Sequence, residues 1–290
     1  MPIILASPNT GATVAQTRWW LRQQVSRHID ERNMRLATVT TAGAVDGTSL
    51  VSTDLKGFPD DHFLRGEVAF HGGTAANLNL ARDVRDFVAS TGTVTTTTLP
   101  AQVQAGDLFE IRRAGPFYAS INTALNEALL SVFNWAYVPT VDTTLRYTSG
   151  AVEYTVPSPF ALLYDVQYEA SGIGKGDWAS LPPLTWDVVQ GAAALSLSSL
   201  ATGKMVTNQP LRLLGYRQPR LLASDADETE ISPNYVIAYA VAKLLGNFAG
   251  GGSTDPDAHA QRQGFWTNLA NVEKLGIRNK KAQSARRVRW

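Results

Sequence analysis

A chain of 290 residues with 44% hydrophobic and 18% charged residues is long enough for a sizeable core and two subdomains, which excludes an intrinsically disordered protein. Cysteine is absent, which excludes disulfides, thiolate metal sites and a thiol nucleophile and fits assembly in a reducing cytoplasm. The net charge of +1 conceals an asymmetry, because Lys280, Lys281, Arg286, Arg287 and Arg289 fall in the last eleven residues and leave residues 1–279 at −4.

In chain order, Met1-Pro2-Ile3-Ile4-Leu5 has no basic flank and too short an apolar run for a signal peptide. The longest apolar stretch, residues 235–242, falls well short of the roughly 18–20 residues of a membrane helix, so a soluble protein not secreted by the usual route is expected. Val14, Leu21, Val25 and Ile29 mark the apolar stripe of a helix over residues 13–32, with Arg18, Arg22, Gln23, Arg27 and Glu31 on its wetter faces. Trp19 and Trp20 are adjacent and point different ways, so one of them is expected to meet a neighbouring element or subunit. Residues 36–112 switch to a period of two. Val68 and Phe70 alternate with Glu67 and Ala69, and Phe109 and Ile111 with Leu108 and Glu110, between turns such as Asp46-Gly47 and Gly106-Asp107.

Gly115-Pro116 opens a second helix over residues 117–137, apolar around most of its circumference and therefore expected to be buried on more than one side. Residues 144–222 return to strands, with Val152, Tyr154 and Val156 and then Tyr164, Val166 and Tyr168 alternating with polar neighbours. Ser232-Pro233 caps a third helix to about residue 248, and Asp255-Pro256 starts a fourth to about residue 275 with Phe265, Leu269 and Val272 on one side. The expected fold class is α+β. A helical-bundle frame (residues 1–35, 113–140 and 223–276) carries an inserted β module (36–112), a small antiparallel β-sheet or barrel domain (141–222) and a basic C-terminal docking tail (277–290).

His28, His62, His71 and His259 are scattered without metal-ligand spacing, and surface or core roles are expected of them. Gly172-Ile173-Gly174-Lys175-Gly176 lacks the P-loop spacing and reads as a hairpin tip. Asp225, Asp227, Glu228 and Glu230 lack EF-hand spacing. They are expected in a solvated loop favouring the following helix N-terminus, with a surface for a basic partner as the alternative. No GxSxG is present and nothing marks a carboxylate pair, so no catalytic residue, metal site or cofactor is assigned. The C-terminal segment is the sharpest local feature. Lys280, Lys281, Arg286, Arg287, Val288, Arg289 and Trp290 join arginines to an aromatic anchor, the composition of an interface hot spot. Insertion into an acidic groove of a partner, contact with nucleic acid phosphates and a frayed basic end all remain open for it.

The run Phe117-Tyr118-Ala119-Ser120-Ile121-Asn122-Thr123-Ala124-Leu125-Asn126-Glu127-Ala128-Leu129, the strand Leu211-Arg212-Leu213-Leu214-Gly215-Tyr216-Arg217 and the helix Pro233-Asn234-Tyr235-Val236-Ile237-Ala238-Tyr239-Ala240 resemble the head–tail adaptor proteins of tailed bacteriophages. The module with Asp46-Gly47-Thr48-Ser49-Leu50-Val51, Phe63-Leu64-Arg65-Gly66 and Gly106-Asp107-Leu108-Phe109-Glu110-Ile111 resembles a small β module common in phage structural proteins. The resemblance implies a virion structural protein of the neck, assembled in the host cytoplasm as a dodecameric ring beneath the portal protein. On that likeness residues 277–290 dock onto the portal, the β parts face a tail, nozzle or tail-terminator protein, and DNA passes through unread. Surplus aromatics, Trp19, Trp20, Trp135 and Trp266 among them, are candidates for contacts between subunits. A tail or baseplate component that binds receptor carbohydrate through exposed tyrosines and tryptophans is the alternative, and a cell-wall hydrolase of the virion is the third.

Overall fold

The computed structural model describes residues 16–30, 34–113, 116–157, 159–189, 193–247, 256–277 and 286–287. The chain divides into two compact units, one of Met1–Ser131 with Arg220–Gly276 and the other of Val132–Pro219 with Ile277–Trp290. Among the described residues, fourteen strands in three antiparallel sheets outnumber five helices.

In the first unit, β1 (Met34–Thr38), β2 (Ser49–Val51), β3 (Glu67–Gly72), β4 (Ala81–Val88), β5 (Thr93–Thr96) and β6 (Leu108–Arg112) form one sheet in the order β1-β6-β3-β4-β5-β2. Its two edges approach one another: Thr41 bridges Val51, and the Ser52 hydroxyl donates to the Thr38 carbonyl at 2.7 Å. The sheet therefore curls into a half-barrel. Period-two alternation sends Leu50, Val68, Phe70, Val84, Phe87, Val94, Phe109 and Ile111 inward, where Phe63, Leu99 and Val103 complete the core. Gly66 is required by a close approach, since a Cβ there would stand 1.9 Å from the Arg112 carbonyl oxygen.

The opposite face of β3 and β6 is covered by α1 (Arg18–Asp30) and α2 (Tyr118–Leu130), which pack with α4 (Pro233–Asn247), itself packed on α5 (Pro256–Gly276). The central helix is α4, burying Tyr235, Val236, Ile237, Ala238, Ala240, Val241, Leu244 and Leu245. At its rim Lys243 pairs with Glu127 of α2 at 2.5 Å.

The second unit holds two sheets. β7 (Val138–Asp142), β9 (Phe160–Glu169), β10 (Trp178–Ser180) and β13 (Leu211–Arg217) run in the order β10-β9-β13-β7, with the two-residue β14 (Arg286–Arg287) also beside β9. β8 (Glu153–Thr155), β11 (Trp186–Val189) and β12 (Ala194–Leu197) make the other, and α3 (Ser199–Thr202) follows β12. Phe160, Leu163, Val166, Leu211 and Leu213 from the first sheet meet Tyr154, Trp186, Val188, Leu195 and Leu197 from the second in one core.

This architecture corrects the expected helical-bundle frame. The long helices form within the stretches where periodicity places them, although α2 stops at Leu130 rather than near residue 137, and the bulk of the chain is β-sheet with cores of its own. The helices form a layer laid on the half-barrel rather than a frame that carries an insert.

Candidate functional site

The densest collection of ionisable groups lies where α1 and α2 cover the half-barrel. Alternation along β3 and β6 turns Glu67, Glu110 and Arg112 away from the barrel core and under the helices, where all three are buried. Arg18 and Arg22, one helical turn apart on α1, point into the same layer, and the segment before α4 adds Asp225. The expectation that Arg18, Arg22 and Gln23 occupy wet faces is overturned, because all three are buried. Asp225 likewise leaves the solvated loop expected of it.

Arg22 is the hub. Its Nε donates to Glu110 Oε1 at 2.6 Å, and its two Nη groups donate to the two oxygens of Asp225 at 2.6 and 2.7 Å. This fork-on-fork geometry makes for strong charge-assisted bonds. Arg18 Nε donates to Asp225 at 2.9 Å, and its Nη1 donates to the Ala223 carbonyl at 2.8 Å. Asn79, in the left-handed region at φ 62, accepts from the Asp225 amide at 2.5 Å through its side-chain oxygen. Arg112 donates to the Ser26 hydroxyl, and the guanidiniums of Arg22 and Arg112 lie 5.2 and 5.0 Å from the Tyr118 ring centroid. Glu67 caps α2 by accepting from the Tyr118 amide at 2.7 Å, which places a carboxylate at the positive end of that helix.

Three cations (Arg18, Arg22, Arg112) therefore share this layer with three carboxylates (Glu67, Glu110, Asp225). Burial pulls the Arg22 pKa down, but Glu110 and Asp225 more than offset it and hold the guanidinium charged. Burial pushes the Glu110 and Glu67 carboxyls above their ordinary range against the pull of the arginines, and lifts Tyr118 further still. Burial also acts to raise Asp225, yet the bonds and charge of Arg22 and Arg18 leave it below the usual carboxylate range. A carboxylate with a depressed folded pKa stabilises the fold above its unfolded pKa of about 3.9 and loses that contribution as pH falls through the folded value. The stability gap between the parent protein and Asp225→Asn should accordingly be full at neutral pH and close progressively below about pH 4. Urea midpoints recorded from pH 7 to pH 2 check this, and a gap constant over that range contradicts it.

The arrangement is a clamp that ties helix layer, half-barrel and the segment before α4 together, through the ion pairs of Arg18 and Arg22 with Asp225 and of Arg22 with Glu110. Two further acidic residues of that segment are held locally. Asp227 accepts from the amides of Ala223 and Ser224 at 2.6 Å each, and Glu230 from the Arg220 amide at 2.9 Å.

The other singled-out residues fall as follows. His28 lies against Trp266 at 4.6 Å, His62 stacks on Phe58 at 4.8 Å, His71 lies on Trp19 at 4.7 Å, and His259 bonds the Leu245 carbonyl at 2.9 Å. Among the described residues no group of three or more histidines and carboxylates could hold a metal ion, and no helix is long and apolar enough to cross a membrane. The glycine loop joins β9 to β10 as a hairpin, and its Gly174 and Gly176 amides donate to the Glu169 carboxylate at 2.5 and 3.1 Å. Trp19 and Trp20 are half-buried, Trp135 is exposed, and Trp266 is buried inside the helix layer. Of the C-terminal candidates, Arg286 and Arg287 pair their backbone with Leu163 and Leu162 of β9. Lys280, Lys281, Val288, Arg289 and Trp290 lie outside the described residues.

The clamp was missed because a charged residue in a period-two strand reads as solvent-facing whether water or an arginine lies opposite it. The one available signal was the pair Arg18 and Arg22 on a helix beside an acidic run, whose separation in sequence hides their contact.

No protein family matches the chain, and no curated protein matches it.

Proposed function

We propose that this chain is a non-enzymatic structural connector, a ring-forming adaptor that joins a phage portal to its tail and leaves a channel for DNA. The observation that carries the reading is where the second unit places its large apolar side chains. Leu184 is 96% exposed and Leu200 75% exposed, on the 3-10 turn Pro183–Thr185 and on α3. The Ser198 amide donates to the Thr185 carbonyl at 2.8 Å, tying the two tips together. Two neighbouring leucines in open water favour association with another surface, the behaviour of an assembly part. The internally matched charges of the clamp fit a rigid building block, and the basic segment joins the same unit as the apolar tips through β14.

A second reading, binding of receptor carbohydrate, has its own support. On β9 and β13, Tyr164 and Tyr216 lie 5.1 Å apart, and Arg212 covers the ring of Trp178 at 5.6 Å. Beside them Asp165 accepts from Gln167 and Ser180 at 2.8 Å each, so half-buried rings adjoin polar groups suited to sugar hydroxyls. A glycan array separates the two, since a connector gives no signal. Electron micrographs of the purified protein, or of the virion neck, test the connector reading itself, for which rings are expected.

A further inference from the structure

Helix α5 carries an apolar stripe on the face it turns to water. Its inner face buries Trp266 and Ala270, whereas Phe265, Val272 and Leu275 on the outer face are 50%, 65% and 75% exposed. Spacings of seven and three residues place these three on one side of the helix, with the shorter Asn268 among them. Every exposed residue from position 264 to 276 is uncharged, and the two charged residues of that stretch, Glu273 and Lys274, are half-buried. The other unit bears a second bare patch. There Leu184 and Leu200 project from their tied tips, flanked by Pro182, Pro183 and Ser199 and again by no exposed charge. By contrast Val45 stands beside the exposed Asp46, Val152 beside Glu153 and Ile173 near Lys175, as isolated surface residues do.

Two such patches on one chain make a knob and a hole. Leu184 sits on a three-residue turn and Leu200 on a four-residue helix, so both stand out on narrow supports. The stripe is their complement. Phe265 at one end and Val272 with Leu275 at the other border the short Asn268 over about 15 Å of helix, a relief that an incoming leucine fills. Neither surface carries an exposed charge that the other would have to strip of water, so burying one against the other leaves no ion unpaired. Tip on tip or stripe on stripe would cover only one kind of patch at each contact. A head-to-tail contact covers both with a single repeated interface, and contacts of that kind are the ones that generate rings.

We propose that Leu184 and Leu200 of one copy of this chain pack onto Phe265, Val272 and Leu275 of the next. The inference rests on the connector reading and deepens it, by naming the two surfaces that meet between neighbouring subunits. Val272→Glu with Leu275→Glu should then break up the assembly as completely as glutamate at Leu184 and Leu200 does.

The chain has no cysteine of its own, so introduced thiols report on this contact alone. A full-length chain with Leu200→Cys and Val272→Cys, mildly oxidised, should run on a denaturing gel as a ladder of dimers, trimers and larger multimers. Either cysteine alone should leave the chain a monomer. Leu184→Cys with Leu275→Cys is the second pair, and circular dichroism verifies the fold of each variant. Dimers from a single-cysteine chain overturn the proposal, because like would then meet like. A disulfide closed within one chain, seen as loss of free thiol at monomer mobility, overturns it by placing the tips on their own α5. No linkage from either pair overturns it as well. Particle mass of the parent chain judges the connector reading separately. Rings without a ladder remove this contact and leave that reading standing, whereas a parent chain that stays monomeric removes both.

Discussion

Replacing Arg22 with alanine is expected to lower the free energy of unfolding by about 3–5 kcal/mol, the usual cost of removing one partner from a buried ion pair. The guanidinium satisfies Glu110 and both oxygens of Asp225 at once, over contacts of 2.6 to 2.7 Å, and each of these groups is buried. Alanine leaves Glu110 beneath α1 with only Arg112 to offset its charge, and leaves Asp225 to Arg18 alone. Against a typical total stability of about 5–15 kcal/mol, such a loss brings the protein close to unfolding at ordinary temperature. Arg22→Met combined with Glu110→Met should cost less than the sum of the two single changes, because the pair leaves together and fewer charges stay orphaned. Denaturant unfolding of the three variants gives the comparison. A loss below about 1 kcal/mol for Arg22→Ala would show that the clamp is incidental.

On the connector reading proposed above, removing residues 278–290 is expected to abolish binding to a portal protein while leaving the fold intact. The cut keeps Ile277, which is buried, and among the described residues it removes the two-residue β14, which pairs with β9 and touches β11. The removed segment contains Trp290 and four arginines, the residue types that dominate interface hot spots. Two anchors at about 2 kcal/mol each account for an affinity loss of about a thousandfold. Calorimetric titration of the truncated protein into portal, with circular dichroism as the fold control, measures it. Full affinity in a folded truncated chain removes the docking role from this segment.

Much of the local structure was legible. Leu21 and Val25, both buried, lie on the predicted apolar stripe of α1, and Val236, Val241 and Leu244 lie on that of α4. Pro233 and Pro256 begin their helices at the positions expected of them. Alternation at Val68, Phe70, Phe109 and Ile111 identified strands and core residues correctly. Fold class was not legible, because sheet content depends on pairings such as β1 with β6, whose partners lie seventy or more residues apart and share no periodicity. The clamp was hidden for a related reason: Glu110, Arg22 and Asp225 each carry an ordinary surface pattern, and only their convergence in space makes them a buried unit.

The central claim, that this chain works by assembling with other chains, is tested most directly by the mass and shape of the purified protein in solution. Light scattering coupled to electron microscopy is expected to show closed rings of uniform copy number that fall apart when Leu184 and Leu200 are changed to glutamate. A monodisperse monomer at concentrations of tens of micromolar, unchanged by adding portal protein, would contradict it.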